Sequence, residues 1–276
     1  MRLSIEAARR RLYEIAEDPD ADLAEGALCI AAEEYPDLDL APHLEFLDDL
    51  AGSIRSRLPD TPDADAWRRA LIEEIHVERG FGGDVDGYYD PRNSFLNEVI
   101  DRRRGIPITL AIVYLAAGRR LDLPVAGVNA PGHFLVRHGD TVLDPFDGGR
   151  VVTVEDLVAR LRGMNAPEPE RLAAEVVRVP PDARSILTRV LGNLKANHLR
   201  RGDLARALAV VDRIVHLNPG QPQWLRDRGA LFQRLDCPRP AIADLERYCI
   251  LVPDDPETDV IRKAIADLMR NLPPLH

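Results

Sequence analysis

The stretch from Ile106 to Ala117 carries no charged residue and is largely apolar. At 12 residues it is too short to span a bilayer, so it predicts a helix buried in a folded core. Pro107 suits the first turn of such a helix, where its missing N–H costs nothing. The helix is expected to end near Arg119-Arg120-Leu121-Asp122, just before Leu123-Pro124, with cations at its negative end. Any fold must wrap around this element.

The chain from Val125 onward is strand-like. Val125–Val128 reads as a short strand. Pro131-Gly132-His133-Phe134-Leu135-Val136 and Val142-Leu143-Asp144-Pro145-Phe146 flank Gly139-Asp140, a two-residue hairpin turn. That turn pairs His138 with Thr141, sets Leu135 against Asp144, and makes His133 and Asp144 diagonal neighbours on one face. A carboxylate within reach of an imidazole can orient it through one ring nitrogen, or can simply cap the turn at Pro145-Phe146.

The rest of the first half is helical. Helices are predicted at about 5–17 (capped by Ser4), 22–34 and 42–58, with a fourth through Trp67, Leu71 and Ile75 to about 78. They read as amphipathic, with acidic outer faces. Residues 79–92 have no periodicity but hold four glycines and Tyr88-Tyr89, so this loop is either a functional segment or a solvated connector. Asn93 or Ser94 is expected to cap a short helix to Ile100. After a strand at 150–152, Thr153-Val154-Glu155-Asp156 is a capping box opening a helix to about 162. Residues 163–182 contain four prolines and read as a linker. His43 and His76 are isolated on helices.

Beyond 182 the chain repeats. His216-Leu217-Asn218-Pro219 and Ile250-Leu251-Val252-Pro253 are offset by 34 residues, as are Ala207 and Ala241, Leu208 and Ile242, and Leu191 and Leu225. This period predicts two stacked helical hairpins and a final helix at about 257–271. The expected organisation is 1–165 as one domain and 183–276 as a second. The fold class is α+β, with a helical N-terminal region, a buried helix against a small antiparallel sheet, and all-α repeats.

A net charge of −10 argues against general nucleic-acid binding, and Arg102-Arg103-Arg104 reads as a solvated helix end. The three cysteines, Cys29, Cys237 and Cys249, form neither a disulfide framework nor a zinc-ligand spacing, which fits a reducing cytoplasm. The N-terminus has no apolar segment of the signal-peptide kind. No spacing of His, Cys, Asp or Glu supports a metal, and no glycine loop cradles phosphate, so no cofactor is expected.

An apolar helix followed by a His on one strand and an Asp on the next is the skeleton of a papain-like or transglutaminase-like core. Further stretches carry a closer likeness: Gly80-Phe81-Gly82-Gly83, Asn93-Ser94-Phe95-Leu96-Asn97-Glu98-Val99, Arg104-Gly105-Ile106-Pro107-Ile108-Thr109-Leu110, Gly127-Val128-Asn129-Ala130-Pro131-Gly132-His133-Phe134 and Leu143-Asp144-Pro145-Phe146-Asp147-Gly148-Gly149. Over roughly residues 25–260 the chain resembles a bacterial family with a transglutaminase-like core and C-terminal tetratricopeptide repeats. Its members are described as regulators of transcription or of invasion genes. The resemblance places His133 and Asp144 on the catalytic His and Asp of true transglutaminases, and Pro107 at the position of their cysteine. It also implies a cleft that includes Asn93, Asn97, Arg104, Asn129 and Gly132.

Proline offers no nucleophile. The nearest hydroxyl is that of Thr109, which a lone His deprotonates poorly without tight orientation. Cys29 lies on an apolar helical pattern and reads as core. Three readings are open. The first is a pseudoenzyme that binds a protein or peptide partner through its repeats. The second is a hydrolase or acyltransferase using Thr109, His133 and Asp144. The third, a DNA-binding regulator, is opposed by the acidic charge. The repeats themselves either bind a partner or only prop the core.

Overall fold

The computed structural model describes residues 1–272. By contact the chain divides into a first unit, Met1–Val190, and a second that begins at Leu191.

The first unit opens with four helices, α1 (Ile5–Glu17), α2 (Leu23–Glu34), α3 (Ala41–Ser56) and α4 (Ala64–Ile72). Ser4, Asp22 and Asp63 each accept a backbone N–H at a helix start, so local side-chain chemistry sets these boundaries. α2 departs from the amphipathic expectation. Ala24 and Gly26 through Ala32 are all buried. The small residues there let neighbouring helices close in on every side.

α4 does not run on as one regular helix to residue 78. It passes at Glu73–Glu78 into a π-helical turn, with Arg79 N–H donating to Glu74 O at 2.9 Å. Such turns redirect side chains and recur at functional sites; this one carries His76. The loop beyond holds β1 (Gly82–Gly83), and a 3-10 turn at Pro91–Ser94 leads into α5 (Leu96–Arg102). β1 pairs in parallel with β2 (Arg104–Gly105). A Cβ on Gly83 would stand 2.7 Å from the Phe146 ring and from Phe146 O, so only glycine permits this approach.

α6 (Pro107–Arg120) is the element around which the unit closes. Every residue from Pro107 to Gly118 except Leu115 is buried. α2 and α3 pack on it, together with the sheet strands β3 (Val125–Val128) and β4 (Leu135–His138). The sheet continues through β5 (Thr141–Asp144) to β6 (Arg150–Val152), antiparallel in simple order β3-β4-β5-β6. Its hairpin register is His138 opposite Thr141 and Val136 opposite Leu143, as the Gly139-Asp140 turn dictates.

α7 (Val154–Gly163) starts at the Thr153–Asp156 capping box. The stretch 163–182, expected as a linker between domains, holds a helix. It contains α8 (Pro169–Arg178), whose Ala173 is fully buried and whose Leu172, Val176 and Val177 pack on the sheet cluster with Leu157 and Leu161. Pro169 is the first residue of that helix, where proline is tolerated. The other three prolines, Pro167, Pro180 and Pro181, flank that helix. α9 (Ala183–Arg200) follows, and the division between the units falls inside it.

The second unit continues through α10 (Leu204–Leu217), α11 (Pro222–Arg234), α12 (Pro238–Leu251) and α13 (Thr258–Arg270). The 34-residue period is visible in the backbone. Asn218 and Val252 end their helices with φ/ψ of −130°/61° and −133°/67°. Gly202 and Asp236 both take positive φ, 73° and 56°. Successive helices pack in sequence order from α10 to α13. Arg228 ties this unit together, donating to both oxygens of Asp244 and to Asp212.

Candidate functional site

The β4–β5 hairpin brings two buried polar side chains together. His133 precedes β4, on a turn closed by its own N–H donating to Ala130 O at 3.1 Å. Asp144 ends β5. The His133 Nε2–H donates to Asp144 Oδ2 at 2.8 Å, and the two residues are 8% and 3% exposed. The other carboxylate oxygen, Oδ1, accepts the Phe146 N–H at 3.0 Å and so caps the 3-10 turn Pro145–Asp147. Orienting the imidazole and capping the turn are thus done together, one oxygen each. Burial works against the Asp144 charge. The hydrogen bond and charge of His133, the Phe146 N–H and the charge of Arg160 outweigh it and hold the carboxyl below its ordinary range.

A second pair, which neither motif nor periodicity announced, lies within electrostatic reach of Asp144. His76 Nδ1 bonds the Phe81 carbonyl at 2.8 Å, and its Nε2 bonds the fully buried Tyr114 hydroxyl at 2.7 Å. A carbonyl only accepts, so Nδ1 carries the proton, and the lone pair on Nε2 accepts from Tyr114. Burial pushes the His76 pKa down and the Tyr114 pKa up, so both stay neutral near Asp144. The regular helical spacing around His76 hid this role, because the π-helical turn, not the spacing, aims the ring inward.

Thr109 is placed elsewhere. It is fully buried, and its hydroxyl accepts the Ile106 N–H at 3.1 Å and lies 2.8 Å from Asn93 O and 3.1 Å from Ile106 O as a donor. It is the N-terminal brace of α6, and neither His133 nor Asp144 is among its partners. Thr109→Ala is expected to cost about 1–3 kcal/mol of stability, because it orphans a buried N–H, with Thr109→Ser restoring most of it. Urea unfolding midpoints test this; an alanine variant as stable as wild type would make the brace dispensable.

The other expected cleft residues divide in the same way. Asn93 is fully buried, donates to Asp84 Oδ2 and Gly87 O, and accepts from Arg102, which pins the 84–90 loop. Asn97 is buried, with its Oδ1 unpartnered. The exposed Arg104 reaches Gly80 O at 3.1 Å. The side-chain hydrogen bonds of Asn93 and Arg104 go to the 80–104 segment and not to His133 or Asp144. Only Asn129 and Gly132 share the turn that carries His133, and Asn129 Oδ1 accepts there from Arg189. Arg189 lies on α9, 56 residues from His133, and no local pattern pointed to it.

Among the described residues no group of three or more His, Cys, Asp or Glu is arranged to hold a metal ion, and no helix is long and apolar enough to cross a membrane. α6 contains no thiol. Cys29 is buried in α2, with its pKa pushed up to about 12 chiefly by burial, which makes a thiolate inaccessible at neutral pH.

Two family patterns match this architecture: a transglutaminase-like superfamily domain over residues 42–192 and tetratricopeptide repeats over 194–266. The chain belongs to the transglutaminase-like superfamily. Bacterial relatives align along most of the chain. A UPF0162 protein of Xylella fastidiosa is 38% identical over 259 residues, covering 91% of this chain and 92% of the relative. A UPF0162 protein of Pseudomonas aeruginosa is 38% identical over 246 residues, 88% of each chain. Protein SirB1 of Salmonella typhimurium is 26% identical over 265 residues, covering 93% of this chain and 96% of the relative. In this transglutaminase-like core the His–Asp pair is assembled at the hairpin, and α6 begins Pro107-Ile108-Thr109.

Proposed function

We propose that this transglutaminase-like protein is a binding module that engages a protein or peptide partner and carries out no acyl transfer. One observation carries the reading. The His133–Asp144 pair is intact, yet the first turn of α6 supplies no nucleophile to it. Pro107 stands where the resemblance places the cysteine. The nearest hydroxyl, on Thr109, is sealed from solvent and committed to backbone groups. A hydroxyl so committed must break two buried hydrogen bonds before it can attack, which works against the Thr109–His133–Asp144 hydrolase or acyltransferase reading. Tetratricopeptide repeats in general mediate protein–protein contact, which supports a partner for the second unit. A net charge of −10 works against a DNA-binding regulator.

The test is intact-mass measurement after incubation with an activated acyl ester, p-nitrophenyl acetate, on wild type, Thr109→Ala and His133→Ala proteins. The expected result is equal, background labelling in all three. An adduct present in wild type and absent from both variants overturns the proposal. In-cell crosslinking tests the other half: a higher-mass species containing a second protein is expected, and its absence beside a working control removes the partner.

A further inference from the structure

Arginines in the first unit are commonly matched to carboxylates. Arg11 pairs with Glu25, Arg57 and Arg79 with Glu74, and Arg120 with Asp22 and Asp48. Two arginines beside His133 are not. Arg189, half-buried on α9, gives its guanidinium to three neutral oxygens of one turn: Asn129 Oδ1, Ala130 O at 3.3 Å and His133 O at 3.3 Å. Among the described residues no carboxylate pairs with it, and burial disfavours its charge. A partly desolvated cation held only by neutral acceptors lacks charge compensation, which an incoming anion would supply.

Arg160 is exposed on α7 and likewise has no ion-pair partner among the described residues. Its place is marked by Met164, one turn further along, whose Cε lies 3.2 Å from where a Cβ on Gly132 would stand. Residues four apart share a helix face, which puts Arg160 on the side of α7 that carries Met164. Its charge acts on Asp144 and on Tyr88, and that of Arg189 also acts on Tyr88. Tyr88 completes the group. Its ring stands edge-on to Phe146 at 5.8 Å, and Phe146 meets His133 edge-on at 6.3 Å. Asp144 forms no ion pair with either arginine among the described residues; its oxygens accept from His133 and from the Phe146 N–H.

We propose that Arg160, Arg189, Tyr88 and His133 form a binding site for a peptide carboxylate, with the guanidinium groups as its anchors. The inference rests on the binding-module reading above and names the chemical class that the core takes. Guanidinium forks match carboxylates in shape as well as charge, and the exposed Tyr88 flanks the position with a phenol.

The experiment titrates the full chain, with its histidines isotope-labelled, and follows the His133 imidazole signal, assigned with a His133→Gln sample. The probes are N-acetyl-glycyl-glycine, its C-terminal amide, and N-acetyl-glutamine beside N-acetyl-glutamate α-amide. The expected result is a saturable shift with the free C-terminus or with the glutamate side chain, and none with the dipeptide amide. The arm that saturates identifies the source of the carboxylate. Arg189→Gln and Arg160→Gln are each expected to weaken binding about tenfold. Arg160 is exposed, so its variant remains informative if Arg189→Gln loosens the turn. Equal response to acid and amide, no saturable shift, or full affinity in Arg160→Gln overturns the proposal. A covalent adduct, the result that defeats the binding-module reading, is a mass change and not a reversible shift, so the two failures are distinguishable.

Discussion

An Asp144→Ala protein is expected to lose about 2–5 kcal/mol of first-unit stability. The substitution deletes two acceptors at once. The His133 Nε2–H loses its 2.8 Å partner at a site 8% exposed, and the Phe146 N–H loses the cap of its turn. Two tryptophans, Trp67 and Trp224, would both report. A Trp224→Phe background leaves Trp67, buried in α4, as the fluorescence signal for the first unit alone. The loss also has a pH signature. Folding holds the Asp144 carboxyl below its ordinary 3.8, so its contribution is complete above that value and is lost as pH falls through the lower folded value. The gap in urea midpoint between wild type and Asp144→Ala is expected to narrow as pH falls below about 4. A gap that stays the same or widens between about pH 4 and 2 would mean that folding does not favour the ionised acid, contrary to the geometry.

Gly149→Ala is expected to cost about 2–5 kcal/mol, against about 1–2 for Gly148→Ala next to it. Both glycines have positive φ, 77° and 60°, so both variants carry backbone strain. They differ in what a methyl group meets. At Gly148 nothing lies within 4 Å, whereas at Gly149 the new Cβ would stand 2.8 Å from the Tyr114 hydroxyl and 2.8 Å from Ile72 Cγ1. That contact pushes Tyr114 off His76 and disturbs the turn in which Gly149 N–H donates to Asp144 O at 2.8 Å. The same denaturation assay gives the comparison, and a Tyr114→Phe background refines it. Removing the hydroxyl removes half of the collision, so Gly149→Ala should cost less there than in wild type. Equal costs at Gly148 and Gly149 would show that strain alone is at work and that the Tyr114 hydroxyl is not held in place.

Much of this arrangement is legible from local pattern. Pro107 ahead of an uncharged run defines the start and the burial of α6. Gly139-Asp140 between alternating strands sets the hairpin register, which puts Asp144 opposite the start of β4, and the turn before β4 then presents His133 to it. A 34-residue offset exposes the paired helices of the second unit. What local pattern does not show has a shared cause as well. α8 was hidden because prolines at helix starts resemble linker prolines until the apolar face at Leu172, Ala173 and Val176 finds the sheet. The work of Thr109 was hidden because a threonine two residues after Pro107 is equally close to a nucleophile's position and to a cap, and only the Asn93 carbonyl opposite it decides.

The amino-acid order by itself determined most of the elements, their sequence along the chain, the transglutaminase-like and repeat organisation, and the hairpin that brings His133 towards Asp144. Each of these comes from periodicity or turn chemistry acting over a few residues. Only the tertiary structure decided that Thr109 braces a helix, that a π-helical turn aims His76 at Tyr114, and that Arg189 comes to lie on the turn beside His133. Those depend on contacts between segments far apart in the chain, where packing of the whole unit, not any local preference, chooses which polar group each side chain meets.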